Sequence, residues 1–117
     1  MIVDTSVWIN HLRIGDARLA AQLEEGTVLV HPFIVGELAC GNLRNRQEIL
    51  SLLEGLPTPT LAEHDEAIQL VEREQLHGRG IGWVDVHLLA SARLSGVSLW
   101  TLDRRLSNVA TSLGVGI

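Results

Sequence analysis

Short apolar runs alternate with amphipathic stretches along this chain, and turn-forming residues separate them. Met1 to Asp4 is too apolar to be half-exposed and reads as a buried strand. Thr27–His31 and Val97–Thr101, rich in β-branched and large apolar side chains, read the same way. Helices are expected between them. Thr5 or Ser6 can cap one that runs to about Arg13, Asp16 a second through Glu25 with Gly26 ending it, and Pro32 opens a third. Arg46–Glu54, Glu63–His77, Val84–Leu94 and Arg104–Ser112 carry further helical patterns, with Gly55 and Gly96 as stops. Leu56–Leu61 contains two prolines and suits a short edge strand, Gly114–Ile117 a last strand, and Gly78–Gly82 a flexible loop. Strands alternating with helices predict one α/β domain over residues 1–117 with a mainly parallel sheet.

Four acids interrupt this pattern. Asp4 ends the first apolar run, Glu37 breaks Phe33–Cys40, Asp85 lies inside Trp83–Ala90, and Asp103 closes Val97–Asp103. None of these runs contains Lys or Arg, so burial would leave the carboxylates unpaired at a cost of several kcal/mol each. Asp4 and Asp103 are expected at the carboxyl ends of strands, where parallel α/β sheets bind ligands. Asp85 is expected in the first turn of a helix and Glu37 on an apolar helix face. If they converge, two carboxylates ~5 Å apart repel by roughly 3 kcal/mol at an effective dielectric of ~20. Either their pKa values rise or a cation fills the site, and hard oxygen donors suit Mg²⁺ or Mn²⁺. Taken singly, Asp4, Asp85 or Asp103 could serve as a helix cap and Glu37 as a satisfied buried acid.

Composition sharpens the picture. The 117 residues are 46% hydrophobic, enough for a single core. No apolar stretch approaches the ~18–20 residues that cross a bilayer, and no basic segment precedes an apolar run at the N-terminus. With Cys40 as the only cysteine, the expected location is the cytoplasm. The net charge of −5 is the wrong sign for binding nucleic acid by bulk electrostatics, although metal at the acids would change the local sign. All nine basic residues are arginine.

The motifs Ile2-Val3-Asp4-Thr5-Ser6, Val35-Gly36-Glu37-Leu38, Val84–Ala90 and Leu99-Trp100-Thr101-Leu102-Asp103 resemble those of the PIN-domain family, and within it the small VapC-type toxins of toxin–antitoxin pairs. The resemblance covers essentially the whole chain. It implies a three-layer α/β/α domain with a central, mainly parallel sheet, and an endoribonuclease using Mg²⁺ or Mn²⁺ held by Asp4, Glu37, Asp85 and Asp103. It also implies an antitoxin partner, a homodimer, and hydrolysis by a metal-activated water that leaves a 5′-phosphate. Thr5, Ser6 and Thr101 match hydroxyl positions beside the acids. The pattern departs in one place: some relatives carry a further acid just after the last aspartate, where this chain has Arg104 and Arg105, which leaves one ion or two open.

Other residues point less clearly. The histidines lack zinc spacing, and Gly78–Gly82 lacks the lysine of a phosphate loop. Trp8, Trp83 and Trp100 read mainly as core and interface residues, with base stacking as the alternative. Arg44, Arg46, Arg79, Arg104 and Arg105 are candidate RNA contacts or solvated surface groups. Two rival functions use the same acids: a DNA nuclease, and a non-catalytic RNA- or protein-binding module stabilised by metal.

Overall fold

The computed structural model describes residues 1–117. Its elements are β1 (Ile2–Val3), α1 (Thr5–Ile14), α2 (Ala17–Glu24), α3 (Pro32–Cys40), α4 (Arg46–Glu54), α5 (His64–Glu74), α6 (Trp83–Ser95), β2 (Leu99–Trp100) and α7 (Arg104–Ser112). β1 and β2 pair in parallel with Ile2 opposite Leu99 and Val3 opposite Trp100. Each therefore delivers its following residue to the same end of the sheet.

The sheet is smaller than the apolar runs predict. Of Thr27–His31, only Leu29 forms a parallel bridge, to Ile2. Pro32 starts α3 directly afterwards, so the segment ends before a ladder can build. Leu56–Leu61 forms no strand; Pro57 accepts one bond from the Val30 N–H, at 2.9 Å. Pro57 and Pro59 have no N–H to return. Gly114–Ile117 also forms no strand, its one link to β2 being the 2.7 Å bond from Leu99 N–H to the Val115 carbonyl. The five segments still lie side by side through these single bonds, in the order Pro57, Val28–Val30, β1, β2, Val115.

Helix boundaries follow local chemistry. Asp16 caps α2 by accepting from the Leu19 N–H at 3.0 Å, and Gly96, at φ +65°, ends α6. α5 stops at Glu74 rather than His77, because Gln75 turns left-handed at φ 52°. α6 is the most deeply packed helix, with every residue from Val86 to Ala92 buried. Trp8 and Trp100 join the core, whereas Trp83 is 40% exposed.

A ring cluster joins α3 to α6. His31 caps α3 through Nδ1, which accepts from the Phe33 N–H at 2.9 Å. Its ring lies 4.9 Å from Phe33 and 6.4 Å from His87, and His87 lies 4.7 Å from Trp83. The Nε2 of His31 is buried without a partner. Burial, and secondarily the charge of His87, lower the His31 pKa from 6.5 to about 4. The fold thus holds this ring neutral while the unfolded chain protonates it. Its contribution to stability is complete above pH 6.5 and is lost as pH falls towards 4. His31→Asn keeps a capping side chain but cannot titrate. Urea unfolding across this range should show a flatter pH dependence for His31→Asn than for the wild type; parallel curves would refute the assignment.

Candidate metal and active site

The parallel register builds the centre of the site. With Val3 opposite Trp100, the next residues, Asp4 and Thr101, become neighbours. The Thr101 hydroxyl donates to Asp4 Oδ2 at 2.7 Å, and Ser6, in the first turn of α1, donates to the same oxygen at 2.8 Å. Backbone groups fix these hydroxyls in turn: the Asp103 N–H donates to Thr101 Oγ1 and the Leu102 N–H to Ser6 Oγ, both at 3.0 Å. Asp4 precedes α1 but does not cap it with its side chain.

Three further acids surround this centre. Glu37 on α3 accepts from the Thr5 hydroxyl at 2.7 Å. Asp85, in the first turn of α6, accepts from the Gly82 N–H at 3.0 Å through Oδ2. Asp103 caps α7, its Oδ1 accepting from the Leu106 N–H at 3.1 Å. Burial is the main cause that raises the Asp85 pKa; the Gly82 N–H opposes it, and the charges of Asp4, Asp103 and Glu37 add to it. Asp85 therefore feels all three other acids, and the four share one electrostatic field.

The expectation of four buried acids needs correction. Asp4 is 7% exposed and Asp85 is half-buried, but Glu37 and Asp103 are exposed. At these two, water weakens the repulsion and lets the acids coexist. Glu37 also lines a cleft of about 680 Å³ with Ile9, Leu12, Arg13, Leu38 and Arg44.

The donor set fits a hard divalent ion. Each carboxylate commits one oxygen to a local donor, leaving Asp4 Oδ1, Glu37 Oε2, Asp85 Oδ1 and Asp103 Oδ2 without a protein partner. None of the four acids is ion-paired, the single ion pair of the chain being Arg93–Glu74. As the side chains stand, no three of them close around one point at ligand distance. Like charge opposes a closer approach without a cation between them.

Sequence reasoning chose these acids and the three hydroxyls but missed Gly82, whose N–H orients Asp85. The signal for it was a glycine immediately before the helix that bears the acid.

Neutralising one acid should relieve the cluster. A carboxyl whose pKa is raised by folding favours the fold at low pH and disfavours it once ionised. Asp85→Asn keeps an oxygen for Gly82 and removes the charge. In EDTA at neutral pH, its urea midpoint should equal or exceed that of the wild type; a clear decrease would mean that the charge itself stabilises the fold.

Residues 1–112 match the PIN domain family. Ribonuclease VapC32 of Mycobacterium tuberculosis, in each of two strains, is 44% identical to this chain over 118 residues, covering 100% of the chain and 95% of that protein. Both matches span β1, α3, α6 and the β2–α7 junction, the segments that carry the four acids, and on them the chain belongs to the PIN-domain family, in its VapC group.

Proposed function

We infer that this chain is a metal-dependent endoribonuclease, the toxin of a type II toxin–antitoxin pair, acting in the cytoplasm on RNA. The observation that carries this reading is the set of four unpaired carboxylates, each with one oxygen held and one free. Asp4, Glu37, Asp85 and Asp103 would hold Mg²⁺ or Mn²⁺. When bound, such an ion supplies a water of lowered pKa and offsets charge on the scissile phosphate. The protein's own part is preorganisation. Ser6 and Thr101 lock Asp4, Thr5 steadies Glu37, and the Gly82 N–H sets the rotamer of Asp85. The same reading takes residues 1–117 as a single three-layer α/β/α domain, its central sheet being the row of parallel segments around β1 and β2.

Features of the surface support two partners. An antitoxin segment bearing arginine would complement the acids, and the adjoining cleft, with Ile9, Leu12 and Leu38 on its wall, offers it an apolar seat. Exposed Ile14, Leu52 and Leu102, at 74%, 63% and 55%, favour a homodimer. Light scattering that finds only monomer at high micromolar concentration would rule the dimer out. Toxicity that no neighbouring gene product suppresses on co-expression would count against the antitoxin.

Metal and substrate can be tested together. Mg²⁺ or Mn²⁺ should raise the melting temperature, and the protein should cut labelled RNA with the ion present but not in EDTA. Asp4→Asn should lose most of the thermal shift and all cleavage. Preferential cutting of DNA would favour the DNA nuclease, and a thermal shift without cutting of either polymer would favour the binding module.

Thr101→Val probes the support of Asp4. A methyl replaces the hydroxyl that donates to Oδ2, leaving Asp4 held by Ser6 alone. RNA cleavage should fall about ten- to a hundredfold, the range seen when groups orienting a metal ligand are removed. Wild-type turnover in Thr101→Val would show that this hydrogen bond does not position Asp4.

A further inference from the structure

We propose that Arg105 binds a backbone phosphate of the RNA at the rim of the acidic site, and that Gly80 is the seat that holds it there. This rests on the nuclease reading above. Arg105 lies in the first turn of α7, two residues after Asp103. Its side chain runs across Gly80, where an added Cβ would stand 2.6 Å from Cδ, 2.9 Å from Nη1 and 3.2 Å from Nε. Those distances exclude any larger residue while the arginine keeps its course. Gly80 belongs to the loop that delivers Gly82 to Asp85. Arg105 is therefore held between the two segments that carry Asp85 and Asp103.

The charge placed there is unspent. Arg105 is exposed and makes no hydrogen bond or ion pair, whereas Arg46 donates to the Gly41 and Ala39 carbonyls and Arg93 pairs with Glu74. Its place is fixed by the contact with Gly80 and by its position in the first turn of α7. A guanidinium laid across Gly80 with its donors free, on the helix that Asp103 caps, suits a phosphate next to the one being cut. It also gives an acidic protein a local point of attraction for RNA.

Gly78 provides the control. Its φ of +73° is close to the +78° of Gly80, yet a Cβ there would meet nothing within 4 Å. Alanine at either position strains the backbone alike, but only Gly80→Ala displaces Arg105.

The experiment measures cleavage of an unstructured single-stranded RNA at fixed Mn²⁺ over a series of KCl concentrations. Arg105→Ala should raise KM about tenfold with kcat little changed. It should also reduce the slope of log KM against log salt by about 0.7, the value for one phosphate contact on a single strand. Gly80→Ala should reproduce both effects and Gly78→Ala neither. Arg105→Lys should keep the wild-type slope with an intermediate KM, because it retains the charge and loses the fork. The Mn²⁺-induced thermal shift should persist in all four variants. An unchanged KM and slope in Arg105→Ala, or equal effects of Gly78→Ala and Gly80→Ala, would overturn the proposal and leave the nuclease reading intact. Absence of cleavage by the wild type would overturn the nuclease reading itself.

Discussion

The pairing of two dipeptides holds the site together. Ile2–Val3 and Leu99–Trp100 are all that β1 and β2 contain, yet their parallel register joins the two ends of the chain. A shift of one residue would turn Thr101 away from Asp4 and undo the contact between their side chains. So short a ladder is weak alone, and its strength comes from burial. Ile2 and Val3 are fully buried and Leu99 is 2% exposed, and β2 packs against α6. The register therefore depends on the core, and the acidic centre depends on the register.

The acids coexist by a division of labour between their oxygens. Each has one oxygen anchored to an N–H or a hydroxyl, which fixes the side chain without cancelling its charge. A salt bridge would have fixed and neutralised it at once, leaving nothing to bind a cation. Glu37 and Asp103 open onto water instead, while at half-buried Asp85 burial first, and the charges of the other three acids after it, oppose ionisation.

Much of this was legible in the sequence, for identifiable reasons. The helices were visible because Gly26, Pro32, Gly55 and Gly96 mark their limits. The acids stood out because each breaks an apolar run. Strand lengths were overread, since an apolar pattern such as Thr27–His31 reports burial and not the number of ladder bonds; Val28 and Val30 are indeed buried, but only Leu29 bridges. Exposure was misjudged at Glu37 for a related reason: apolar neighbours three and four positions away place a residue on a face, and here that face borders an open cleft. The seat of Arg105 on Gly80 depends on two segments far apart in sequence, so no local pattern could reveal it.

The hydroxyls around Asp4 and Glu37 carry a further consequence. Thr5, Ser6 and Thr101 each own a single hydrogen, and each directs it to a carboxylate. While these bonds stand, none has a hydrogen left to donate to a phosphate or ribose oxygen. Their part is to hold the carboxylates in place, so substituting one of them loosens a carboxylate oxygen and takes no proton donor from the cleft.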